Sequence, residues 1–154
     1  KVNKISPFQI EVRQDRVPAD IVSFMKENKI RGNMFVFFDW AEYCIWKLYP
    51  DCRVFLDGRF TDAYSRQTIT DYLCLLYGEK EWHNTLEKHQ TDIFLLHKGN
   101  PATRILYQLQ DWKPVCEDEI AVLFLRTNTH AKVINAMSIE KPVRLKGDNK
   151  TFFP

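Results

Sequence analysis

Apolar and polar positions change period several times along the chain, and each change marks an element. Phe8, Ile10 and Val12 alternate with Gln9 and Glu11, which predicts a half-buried strand. Pro18 then opens a helix with Ile21, Val22, Phe24 and Met25 on one face, ending near Lys29 and broken by Gly32. Residues 34–38 (Met-Phe-Val-Phe-Phe) form an unbroken apolar run, the pattern of a strand covered on both faces. Asp39 stands where it could cap a helix over residues 40–49, with Tyr43, Trp46 and Leu48 at helical spacing and Pro50 as its stop. Residues 53–57 give the next strand, closed by Gly58, and residues 61–89 read as helical with a break near Gly78. Residues 92–97 are strand again, after which Asn100 caps a helix with Pro101 in its first turn. Residues 112–116 and 120–125 read as two strands joined by Glu117-Asp118-Glu119 and predict a hairpin. Residues 127–137 suit a last helix.

Strands alternating with helices predict an α/β fold of three layers, with helices on both faces of a mostly parallel sheet. The hairpin adds a C-terminal antiparallel edge, so the expected architecture is Rossmann-like. Residues 1–140 are expected to form a single domain, with 141–154 a loosely ordered, polar tail. A chain of 154 residues fits one domain, and at this size about 68–70% of the unfolded surface is buried without help from metals or disulfides.

Composition narrows the function classes. The net charge is +2 and no basic run occurs, so nucleic acid is not an expected partner. No stretch reaches the ~18–20 apolar residues of a membrane span. The sequence starts at Lys1 with no signal-peptide pattern, which leads to the expectation of an excised or processed piece of a longer protein. Cys44 and Cys74 sit among apolar residues and read as core, whereas Cys52 beside a turn reads as more exposed. No Cys or His spacing suits a metal, so neither metal nor cofactor is expected. His83, His89, His97 and His130 are dispersed and read as surface or helix-end residues. Gly-rich phosphate loops, a Gly-x-Ser-x-Gly elbow and an Asp-x-Asp pair are missing.

In an open α/β sheet, ligands gather beyond the carboxyl ends of the strands. Those ends deliver Asp39 and Trp40 after the second strand, then Asp57, Gly58 and Arg59 followed by Asp62 and Tyr64 after the third. The fourth delivers His97 and Lys98. A polar pocket would use Arg59 to grip an anion, Asp39 and Asp57 to hold hydroxyls, and Trp40 or Tyr64 to stack on a sugar. The alternative is structural: Asp39 caps a helix, and Asp57 pairs with Arg59 to satisfy a strand end.

The segment from Gly32 to Tyr64 carries the most specific signal. Phe38, Asp39, Trp40, Tyr43, Ile45, Trp46, Pro50, Val54, Phe55, Asp57, Gly58, Arg59, Asp62 and Tyr64 fall in a fixed order there. This block resembles the soluble segment that follows the membrane helices in polytopic glycosyltransferase-like proteins of the dolichyl-phosphate-mannose mannosyltransferase type. Weaker similarity continues through residues 92–96, Trp112 and 117–126. One departure stands out: a Gly-Gly pair usual before the tyrosine is Ala41-Glu42 here, and a side chain there could close a ligand's approach.

The resemblance implies a non-catalytic, membrane-tethered domain on the extracytoplasmic side, since the family's catalytic aspartate lies between early membrane helices. Its implied partners are the membrane part of the same polypeptide and a glycan or polyprenyl-linked sugar phosphate. The implied ligand-binding residues are Asp39, Trp40, Asp57, Arg59, Asp62 and Tyr64. Two alternatives stay open. One is a free-standing Rossmann-like enzyme binding a nucleotide or sugar through a carboxylate pair; the other is a protein-interaction module without a small ligand.

Overall fold

A computed structural model of the chain describes residues 11–12, 16–138, 140–147 and 151–152. Its elements, in chain order, are β1 (Glu11–Val12), α1 (Ala19–Glu27), β2 (Gly32–Val36), α2 (Ala41–Leu48) and β3 (Cys52–Val54). They continue with α3 (Arg66–Tyr77), α4 (Trp82–Lys88), β4 (Ile93–His97), α5 (Pro101–Leu106), β5 (Trp112–Glu117) and β6 (Ala121–Arg126). The last are α6 (Ala131–Ala136), β7 (Val143–Arg144) and β8 (Thr151–Phe152). Short 3₁₀ turns at Phe38–Trp40 and Phe60–Asp62 follow the ends of β2 and β3.

Six strands form the main sheet in the order β3-β2-β4-β6-β5-β7, while β1 pairs antiparallel with β8 in a separate ribbon. The β3–β2, β2–β4 and β5–β7 pairs are parallel, whereas β6 runs antiparallel to both β4 and β5. The sheet is therefore mixed, which corrects the expectation of a mostly parallel one. The physical reason is the hairpin: it inserts β6 between β4 and β5 instead of adding an edge. β7 then takes the outer position, within the segment read from sequence as tail. Strand order alone does not make the fold Rossmann-like.

Burial explains why the central strands read as continuous apolar runs. Met34, Val36, Ile93, Leu95, Leu123 and Leu125 pack with α1 and α2 in one core. Phe35, Phe94, Leu96, Val122 and Phe124 pack with α3, α4 and α5 in a second core. Alternate residues of the same strands feed opposite faces, as a pleated strand requires. Phe35, Phe94 and Phe124 stand in one cross-strand row. Tyr72 stacks on Phe35 at 4.7 Å, and Trp82 lies over Phe94 at 6.0 Å.

All four cysteines are free and buried, including Cys52, whose exposure the sequence overstated. Its Sγ faces the Ile30 carbonyl, and burial pushes its thiol up to about 11. Among the described residues no helix is long and apolar enough to cross a membrane.

Candidate ligand site at the carboxyl edge of the sheet

The parallel register of β3 and β2 brings their carboxyl ends side by side, so the residues that follow each strand become neighbours. Past β3, the Phe55 N–H still donates to the Met34 carbonyl, and the chain then turns through Asp57, Gly58 and Arg59. Asp57 is 3% exposed yet ionised, because its carboxylate is fully engaged. Arg59 Nε donates to Oδ1 at 3.0 Å and Nη2 to Oδ2 at 2.7 Å, a two-pronged pair. The Arg59 backbone N–H donates to Oδ1 at 3.0 Å, and the Tyr64 hydroxyl donates to Oδ2 at 2.9 Å. The Arg59 guanidinium holds the Asp57 carboxyl down to about 2, outweighing the burial that would raise it. Burial and the bond to Asp57 raise the Tyr64 hydroxyl.

The turn that delivers this cluster is strained. Phe60 adopts φ 41°, a left-handed conformation that a bulky residue rarely takes. Two hydrogen bonds hold it there: Phe60 N–H to the Asp57 carbonyl, and Tyr64 N–H to the Phe60 carbonyl. The Phe60 ring meets Phe38 edge-on at 5.7 Å, tying the β3 turn to the end of β2. Such strain persists only where the surroundings over-determine it.

Beside the cluster runs an open groove of about 590 Å3 lined by Glu42, Ile45, Trp46, Asp57, Gly58 and Arg59. Glu42, from the first turn of α2, places Oε1 on the Gly58 N–H. A Cβ at position 58 would collide with that carboxylate oxygen, so only glycine accepts the contact as it stands. The Glu42 side chain thus occupies the backbone donor at the turn. Lys47 places its ammonium 3.5 Å from the centre of the Trp46 ring.

Of the residues singled out from sequence, Asp57, Arg59 and Tyr64 come together. Trp40 does not join them: it is 1% exposed, donates from Nε1 to the Arg16 carbonyl at 2.8 Å, and packs on His97 and Phe37. A buried ring cannot stack on a sugar, which corrects its expected role. Asp39 and Asp62 lie exposed in the two 3₁₀ turns and make no side-chain hydrogen bond among the described residues. Asp39 does not cap α2, because the 3₁₀ turn runs directly into that helix and no side-chain cap forms.

Sequence reasoning missed a second polar cluster. Asp71 in α3 is 6% exposed and accepts from Lys88 Nζ and pairs with His89 Nε2, both at 2.6 Å, with Gln67 Nε2 at 2.8 Å. Burial pushes the Asp71 carboxyl up, but the bonds from Lys88, His89 and Gln67 prevail and hold it at about 2. Its members come from two helices, and only the fold joins them. Among the described residues no group of three or more His, Cys, Asp or Glu side chains is placed to hold a metal ion. Searches against protein families, curated proteins and solved structures find nothing that matches this chain.

Proposed function

We propose that this is a non-catalytic, extracytoplasmic domain of a polytopic glycosyltransferase-like protein, and that it binds a glycan at the carboxyl edge of β3. The observation that carries the reading is the convergence of Asp57, Arg59 and Tyr64 beside a groove walled by Ile45 and Trp46. These residues belong to the block of sequence that most strongly resembles such proteins.

Charge favours a neutral glycan over a sugar phosphate. Arg59 is already compensated by Asp57, and the Gly58 N–H is taken by a carboxylate. An incoming phosphate would meet the Glu42 carboxylate in the same groove that offers it Arg59. Sugar hydroxyls, by contrast, can donate to Glu42 and accept from Arg59, while the apolar face of the ring lies along Ile45 and Trp46. A neutral glycan therefore suits this edge better than a sugar phosphate. The strained Phe60 turn, which fixes Arg59, agrees with a preorganised site.

Thermal unfolding with neutral oligosaccharides, sugar phosphates, polyprenyl phosphates and nucleotides tests this, beside Arg59→Ala and Glu42→Ala. A ligand at a hundred times its Kd adds about 2.7 kcal/mol, or roughly 5–10 °C in Tm for a chain of this size. The expected result is a shift for neutral glycans that Arg59→Ala abolishes. A nucleotide shift favours the enzyme alternative, and no shift with any ligand removes the proposal in favour of a protein-contact role.

A further inference from the structure

The opposite, amino-terminal end of the same sheet edge holds a second cavity. β3 is an edge strand that pairs only with β2. Cys52 and Val54 turn toward the α1–α2 core, which sends Arg53 and Phe55 to the other side. Asn33 is the register partner of Arg53 on β2 and shares its face. A cavity of about 260 Å3 lies there, lined by Arg53, Asn33, Phe55, His89 and Thr91 among others.

Three of these groups are short of partners. Thr91 is 1% exposed, yet its hydroxyl makes no hydrogen bond among the described residues. That hydroxyl lines the cavity and is available to an occupant as donor or acceptor. Arg53 forms no ion pair or hydrogen bond among the described residues, leaving its guanidinium uncompensated. His89 is fixed from behind: Nε2 meets Asp71 at 2.6 Å, and the ring sits edge-on to Phe55 at 4.5 Å. That leaves Nδ1 as the ring nitrogen without a partner among the described residues.

The nearby acids have partners of their own. Asp71 is matched by Lys88 as well as His89, and Asp92 accepts the Asn33 backbone N–H at 3.0 Å. Among the described residues no carboxylate lines the cavity, and its charged lining residue is Arg53. Its planar fork suits an oxyanion, and a hydroxyl donor nearby fixes that group's orientation.

We propose that this cavity binds a small molecule through an oxyanion group, a phosphate or a carboxylate, held by Arg53 and the Thr91 hydroxyl with His89 closing the Phe55 side. The cavity falls just below the ~300–1,000 Å3 of drug-sized sites, which limits the ligand to a small metabolite-sized molecule. The site lies at the opposite end of the strands from the proposed glycan groove and does not depend on it.

The test titrates the protein with inorganic phosphate and, separately, acetate, at constant ionic strength. It follows thermal unfolding and the imidazole ¹⁵N signals of His89. Saturable stabilisation by one of the two identifies which oxyanion the cavity takes, and the His89 Nδ1 signal moves with it. Arg53→Gln weakens that binding about tenfold or more, the loss expected for one charge-assisted hydrogen bond, whereas Arg53→Lys keeps part of it. Thr91→Val weakens it several-fold and Thr91→Ser restores it. Arg59→Ala leaves it unchanged. Absence of saturable binding by either anion overturns the proposal, and so does binding that Arg53→Gln leaves intact. Arg53 is exposed, so its variant folds even if a Thr91 variant does not.

Discussion

Two buried carboxylates set how the molecule responds to acid. Asp57 and Asp71 are each held at about 2, below the ordinary 3.8. A carboxyl depressed in the folded state contributes stability that is complete above its unfolded pKa and fades as pH falls through the folded one. The stabilisation should thus be intact at neutral pH and drain away between about pH 4 and pH 2. Arg59 lies mostly in water, so the Asp57 share is on the order of 1–2 kcal/mol rather than the full value of the shift. Urea unfolding at stepped pH is expected to show the loss, and Asp57→Asn should flatten part of it while lowering stability at pH 7. An unchanged acid limb in that variant would mean that the Asp57–Arg59 pair contributes nothing net. The Asp57 cluster was legible in the sequence because Arg59 and Tyr64 lie only two and seven residues beyond Asp57. Trp40 was not, since its burial depends on a carbonyl from Arg16 that only the docking of α1 supplies. The Asp71–His89 contact was equally hidden: each residue alone reads as an ordinary helix-surface group. Glu42 was visible as a departure, but its target, Gly58, emerges only once α2 lies beside β3.

Helix ends show which local rules the fold obeys. Asn100 caps α5 through Oδ1 to the Ala102 N–H at 2.9 Å with Pro101 behind it, as the sequence implied. Ser65 caps α3 through Oγ to the Thr68 N–H at 3.1 Å. Replacing either with Ala should cost about 1 kcal/mol. At the other ends, Gly78 follows α3 with φ 69°, whereas Lys29 and Gln90 follow α1 and α4 at φ 51° and 45° with side chains present. Lys29→Gly and Gln90→Gly are therefore expected to stabilise by roughly 0.5–1 kcal/mol, since glycine takes the left-handed region freely. Gly78→Ala should destabilise by about 1–2 kcal/mol, because the added Cβ also falls 2.7 Å from Ile105 Cδ1. Chemical denaturation of these three variants against the parent checks the opposite signs. Element type was readable wherever period and punctuation agreed, as in α1, β4 and α5. Pairing was not readable, because a hairpin's two strands look alike whether they sit at a sheet edge or inside it. Nothing local to Ala121–Arg126 announces that it will lie between β4 and β5.

Both hydrophobic cores hang on the same three strands, and that ties the molecule into one cooperative unit. β4 sends Ile93 and Leu95 to the α1–α2 side and Phe94 and Leu96 to the α3–α5 side. Phe94 is fully buried and touches Phe35, Trp82 and Trp112, so Phe94→Ala should cost about 3–5 kcal/mol. Against a typical total of 5–15 kcal/mol, that is a large share. The molecule carries its own reporters: Trp40 and Trp46 belong to one core, Trp82 and Trp112 to the other. Pairs of Trp→Phe substitutions leave fluorescence from a single face at a time. In the parent, urea transitions from the two faces are expected to coincide; in Phe94→Ala, both should move to lower urea by the same amount. A shift confined to Trp82 and Trp112 would show that β4 does not couple the layers. The same reasoning sets β3 apart, since a three-residue edge strand bonded only to β2 has the least to lose by opening. Both candidate sites border that strand, one at each end. Ligands that bind them should accordingly slow hydrogen exchange at the β3 amides more than at those of β4.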